Sequence, residues 1–130
     1  MRLLDTSVCV GWLTAQDLGM KRQLTSLKRD DVALCSVVKA ELLYGARASA
    51  RVRENLEKLE PLFALFPSLP FDDAASEHYG AMRAQLRRAG TPIGGNDMLI
   101  ASIALAADAT LVTRTEKEFR LVPGLRVEVW

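Results

Sequence analysis

The amino-acid sequence predicts an α/β fold: a three-layer α/β/α domain around a mostly parallel central sheet. Two observations carry this prediction. Short apolar runs of buried-strand length alternate along the chain with longer segments that are apolar at helical spacing. No internal repeat, linker or low-complexity stretch interrupts the alternation, and 130 residues suffice for one core, so a single domain is expected.

Leu3-Leu4 reads as the first buried strand, and Asp5-Thr6-Ser7 ends it and opens a helix with Thr6 or Ser7 as N-cap. Asp17 to Lys28 is helical by the spacing of Leu18, Leu24 and Leu27. Asp30-Asp31 turns into a second buried strand, Val32 to Cys35, after which Ser36 caps a helix carrying Val37, Val38, Glu41, Leu42 and Gly45. A further helix starts near Val52, runs through Leu56 and Leu59, and is expected to bend or end at Pro61. Between Phe66 and Phe71, Pro67 and Pro70 leave room only for a short or edge strand. Asp72 opens a long helix with Ala75, Tyr79, Met82 and Leu86 as its apolar stripe, and Gly90 closes it. After the loop Thr91 to Gly95, Asn96 is expected to cap a helix from Asp97 to Ala107. Thr110 to Thr113 is another buried strand, and Leu125 to Val129 alternates as a last edge strand.

Composition narrows the function classes. The chain is 49% hydrophobic and 25% charged, as soluble globular proteins are, and no apolar stretch has the length of a signal peptide or a membrane span. A cytoplasmic protein is expected. Cys9 and Cys35 are isolated among apolar neighbours and read as small buried hydrophobes. With His78 the only histidine, a zinc site is not expected. A net charge of +1 announces no nucleic-acid binder, so any nucleic-acid contact must come from a local basic stripe.

Ligands of open parallel sheets bind beyond the carboxyl ends of the strands, and three acids should reach that edge. Asp5 directly follows the first strand, Glu41 lies on the helix after the second, and Asp97 starts the helix leading to the fourth. Each has strongly apolar neighbours, which makes an uncompensated carboxylate costly. Taken singly, Asp5 could cap the first helix, Glu41 could pair with Lys39 or Arg47, and Asp97 could complete a cap with Asn96. Three unrelated structural roles give no reason for the acids to share one edge, whereas a divalent cation does. An all-oxygen site of this kind suits Mg²⁺, or Mn²⁺.

At these residues the chain resembles the PIN-domain ribonucleases and, within them, the VapC toxins of bacterial toxin–antitoxin pairs. The resemblance rests on Leu3-Leu4-Asp5-Thr6-Ser7, Ser36 to Gly45, Leu69-Pro70-Phe71-Asp72, Gly90 to Asp97, Leu111-Val112-Thr113 and Val122 to Glu128. It covers essentially the whole length, so residues 1–130 are expected to form one PIN domain. It implies Asp5, Glu41 and Asp97 as metal-binding acids, with a fourth acidic or polar ligand after the Thr113 strand. Where many relatives have Asn or Asp, this chain has Thr115; Glu118 is the chosen fourth acid and Glu116 the competing one.

The implied activity is Mg²⁺-dependent hydrolysis of RNA phosphodiesters, with Thr6, Ser36 and Thr113 orienting carboxylates or water. Ser36 can equally serve as a helix cap. The Thr91 to Asn96 loop resembles that of members acting on initiator tRNA, which makes tRNA the expected substrate. Arg83, Arg87, Arg88, Lys39 and Arg47 are candidate phosphate contacts, or simply solvated helix faces. The resemblance further implies a homodimer and a VapB-type antitoxin whose tail lies beside the acids, with Trp12, Leu13, Leu24 and Leu27 available for apolar contact. Two rivals remain: a receiver-like phosphoacceptor, which would need an acidic pair near the first strand and a closing lysine, and a binding module that has lost catalysis.

Overall fold

The computed structural model describes residues 1–14 and 18–130. Its core is a five-stranded sheet of β1 (Arg2–Leu4), β2 (Val32–Cys35), β3 (Ser68–Leu69), β4 (Thr110–Thr113) and β5 (Val127–Val129), in the spatial order β3-β2-β1-β4-β5. All four pairings are parallel, so the sheet is wholly and not just mostly parallel. The register places Leu3 beside Ala33 and Leu111, and Leu4 beside Val112. Successive residues of a strand face opposite sides, yet Leu3 and Leu4 are both fully buried, as are all four residues of β2. Both faces of the sheet are therefore covered, which is the three-layer arrangement. The short edge strands β3 and β5 carry the more exposed residues.

The connecting helices are α1 (Thr6–Leu13), α2 (Leu18–Thr25), α3 (Ser36–Arg47), α4 (Val52–Leu65), α5 (Asp73–Ala89), α6 (Gly95–Ala106) and the single-turn α7 (Glu116–Phe119). Asp17, where the second helix was expected to begin, lies outside the described residues. Three helix starts differ from expectation. The N-caps are Asp5 rather than Thr6 or Ser7, Cys35 rather than Ser36, and Gly94 rather than Asn96, none with a side-chain cap bond. The chain turns into α1 and α3 straight from a strand end. At α1 the strand-end carbonyl itself does the capping: the Asp5 oxygen accepts from the N–H groups of Val8 and Cys9, at 3.2 and 3.3 Å. Asp72 does cap α5 through its side chain, accepting from the Ala75 N–H at 2.9 Å, and Gly90 ends that helix at φ 70°, a left-handed conformation that suits glycine.

Pro61 does not end α4, which continues to Leu65. The proline faces solvent, so the carbonyl it leaves unpaired can be hydrated, while buried Leu59, Leu62 and Phe66 hold the helix on either side. Burial of each such side chain contributes roughly 1.5–3 kcal/mol, enough together to offset a cost of about 3 kcal/mol for an interior proline. Cys9 and Cys35 are buried free thiols, and burial pushes both well above the usual thiol range. Among the described residues no helix is long and apolar enough to cross a membrane.

Candidate active site

The carboxyl edge of the sheet collects Asp5 from the end of β1, Thr113 from the end of β4 and Thr115 just beyond it, while α3, α6 and α7 deliver Glu41, Asp97 and Glu118. Asp5 is 5% exposed. Its carboxylate plays no part in capping α1; instead its Oδ2 accepts from Thr113 Oγ1 at 2.8 Å and from Ser7 Oγ at 3.1 Å. Both bonds end on one oxygen, with Oδ1 outside this network. Thr113 is itself fully buried, and its hydroxyl accepts the Thr115 backbone N–H at 3.0 Å, while Ser7 Oγ accepts that of Arg114 at 3.0 Å. The hydroxyls thus tie the ends of β1 and β4 together and fix the direction of the Asp5 carboxylate.

Glu41 makes no ion pair with Lys39 or Arg47 among the described contacts. It accepts from Thr6 Oγ1 at 3.0 Å, while Lys39 Nζ lies 4.8 Å from the centre of the Phe63 ring. Asp97 occupies the first turn of α6, where a negative charge is favoured by the helix dipole. Its carboxyl is nevertheless pushed up to about 7, first by burial, then by a side-chain hydrogen bond with Glu118 and by the charges of Asp5, Glu118 and Glu41. Glu118 Oε2 also accepts from the Gly94 N–H at 3.4 Å. A Cβ at position 94 would stand 3.5 Å from Asp97 Oδ2 and 3.9 Å from Glu118 Oε2, so Gly94 lies against both acids.

Of the residues expected at the site, Asp5, Glu41, Asp97 and Glu118 are within electrostatic reach of one another, with Thr6 and Thr113 bonded to two of them. Thr115 is linked to Thr113, their hydroxyls 3.3 Å apart. Glu116 lines a cleft of about 320 Å³ with Asp97 and Glu118, but it is Glu118 that reaches Gly94 beside Asp97. Ser36 bonds away from the acids, donating to the Leu69 carbonyl at 3.3 Å, which ties α3 to the edge strand β3. Ser7 is the residue that sequence reasoning missed as a partner of Asp5; it was seen only as a possible cap. Its one signal was a hydroxyl two positions after a strand-end acid.

The donor set is all oxygen and mostly carboxylate, which fits a hard divalent cation. Among the described residues no group of three or more acidic, histidine or cysteine side chains stands ready to hold a metal ion, so water or substrate oxygens would have to join the carboxylates around Mg²⁺.

The PIN domain model matches residues 2–125. The chain is 37% identical over 129 residues to Ribonuclease VapC2 of Rickettsia felis, covering 98% of this chain and 96% of that protein. It is 34% identical over 128 residues to the tRNA(fMet)-specific endonuclease VapC of Shigella flexneri, with the same coverage. Among solved structures, VapBC2 of Rickettsia felis bound to a DNA fragment from its promoter aligns with a TM-score of 0.94 at 35% identity, over 99% of this chain and 98% of that one. DNA-bound VapBC of Salmonella typhimurium aligns with a TM-score of 0.94 at 32% identity, over 99% and 97% of the two chains. With the family model spanning nearly every residue and relatives matched end to end, the chain belongs to the PIN-domain family and, within it, to the VapC ribonucleases.

Proposed function

We propose that this chain is the toxin of a toxin–antitoxin pair, an endoribonuclease that hydrolyses RNA phosphodiester bonds with Mg²⁺, or Mn²⁺, held by Asp5, Glu41 and Asp97 and with Glu118 as the fourth acid. The observation that supports this most is Asp97, whose carboxyl is raised by burial and by three other carboxyl groups acting in the same direction. Such a cluster is poorly served by protons and well served by a divalent charge. Thr113 and Ser7 hold Asp5, and Thr6 holds Glu41, so that two of the ligands are oriented before a cation arrives. A cation held here would compete with the proton that the raised Asp97 carboxyl retains, so its binding should strengthen as pH rises. A bound cation supplies Lewis acidity, polarising the phosphodiester and acidifying a water. The chain's own part is to aim its carboxylates and to gather them closely enough that a divalent charge is favoured among them.

The substrate class is tRNA, and initiator tRNA in particular, because relatives matched over nearly their whole length are tRNA(fMet)-specific endonucleases. The partner is a VapB-type antitoxin, as in the matched complexes. An apolar cleft of about 330 Å³, floored by Val10, Leu13, Leu42 and Leu59, reaches Thr6 and Glu41 and fits a segment of that antitoxin. Leu13 is available there; Leu24, 1% exposed, belongs to the core and is not. The working form is a homodimer acting in the cytoplasm, where tRNA is found. Mapping RNA 5′ ends after brief expression tests the reading: one or a few tRNA positions should gain ends with the unaltered chain and none with D97N. Identical end profiles for the two chains would contradict it.

A further inference from the structure

Exposed arginines lie on α5, beside the loop that carries Gly94. Arg83 and Arg87, four residues apart on one helix face, line a cleft of about 370 Å³ with Leu86, Pro92, Ile93 and Met98. Its second wall is the loop and first helical turn that carry Gly94, which bonds Glu118, and Asp97 itself. The cleft and the acids thus lie against the same short segment, residues 92–98.

Neither arginine is neutralised. Among the described residues the ion pairs involve Arg2, Arg51, Lys58 and Arg126, and none within 4.0 Å involves Arg83 or Arg87. Arg83 is also held in place: its Nη1 donates to the Tyr79 hydroxyl at 2.8 Å and its guanidinium carbon lies 5.8 Å from the centre of that ring. Tyr79 in turn packs edge-on against Phe71, with ring centres 6.1 Å apart. Arg87, in the last turn of α5, is favoured there by the helix dipole. Arg83 lies more than a turn further back, where that effect has faded, so the dipole does not account for it. A guanidinium braced by an aromatic ring, unpaired and beside a second one, is suited to bidentate hydrogen bonding with a phosphate.

We propose that Arg83 and Arg87 form a phosphate subsite for the RNA strand, holding a backbone phosphate that flanks the one cut at the acids. This inference rests on the reading of the chain as a ribonuclease.

The test is binding of a single-stranded RNA oligonucleotide, followed by fluorescence anisotropy from 50 to 200 mM salt in the presence of a chelator so that no cleavage occurs. Each lost phosphate contact on a single strand lowers the slope of log K against log salt by about 0.7. The double substitution R83Q/R87Q should therefore reduce the slope by about 1.4, so that fourfold more salt weakens the variant about sevenfold less than the original chain. R53Q, which removes an exposed arginine on α4, should leave the slope as it was. In cleavage assays with Mg²⁺, R83Q/R87Q should raise KM more than it lowers kcat. An unchanged slope in R83Q/R87Q, with the original chain binding and cutting RNA, overturns the subsite while leaving the ribonuclease reading in place. If the original chain neither binds nor cuts RNA, both fall. Circular dichroism of each variant distinguishes a lost contact from a lost fold, and the single substitution R87Q, which leaves the Arg83–Tyr79 contact intact, should still reduce the slope by about 0.7.

Discussion

Replacing Asp97 by asparagine should stabilise the cation-free protein while abolishing its activity. The Asp97 carboxyl rises from 3.8 to about 7 in the folded chain because it is buried among other carboxyl groups. A group whose folded value is raised binds more protons when native than when unfolded, so stability is lost as pH rises from about 4 to about 7. Taken at face value the rise corresponds to roughly 4 kcal/mol, at about 1.4 kcal/mol per pH unit. Asp97 is only partly buried, and solvent screening reduces this to about 1–2 kcal/mol. Asparagine keeps the shape and can donate to Glu118 without carrying charge. In chelator at pH 8, D97N should therefore resist urea by about 1–2 kcal/mol more than the original chain, or melt roughly 4–8 °C higher. At pH 3 and below, where Asp97 is largely protonated in both states, the difference should vanish. Added Mg²⁺ should narrow the gap at pH 8, since a ligand of the native state stabilises only the chain that binds it. If D97N is less stable than the original at pH 8, or the difference is independent of pH, the account of Asp97 as one of several mutually repelling acids is wrong.

Other expected outcomes follow from single contacts. T113V removes the buried donor to Asp5 Oδ2 and should cost about 1–3 kcal/mol in urea unfolding as well as most RNA cleavage, whereas T113S should keep both largely intact. Between the two acids of α7, E118Q should lower cleavage by tenfold or more and E116Q by less than threefold, because Glu118 is the one that lies against Gly94 beside Asp97; equal effects would remove Glu118 from the site. Cys9 and Cys35 should react with a thiol reagent at pH 8 only on the timescale of unfolding, since both are buried and their thiols are pushed up.

What was legible in the sequence was what local pattern determines. Leu3-Leu4 before Asp5, and Val32 to Cys35 before Ser36, marked the strand ends at the functional edge, because an apolar run stopping at a polar residue has few other readings in a buried parallel sheet. The helix starts were read a residue or two late because capping was inferred from side-chain type, while α1, α3 and α6 begin without any side-chain cap. The short α7 went unread for a different reason: four residues are too few to show a period. The role of Ser7 depends on Thr113, 106 positions away, and no local spacing encodes that contact. Equally, Glu116 and Glu118 are indistinguishable in sequence; only the turn of α7 brings Glu118 to Gly94, beside Asp97. Pro61 shows the converse, a strong local signal overridden because its face is solvent and its neighbours are core.

The most direct test of the cation-assisted ribonuclease is cleavage of a tRNA-containing RNA panel by the purified chain, freed of any partner. Cleavage should be present with Mg²⁺ or Mn²⁺, disappear on chelation, return when either cation is restored, and be absent in D5N and D97N. A panel left intact with both cations, or cut equally well in chelator or by D97N, would contradict the assignment of Asp5, Glu41, Asp97 and Glu118 as the acids that hold the cation.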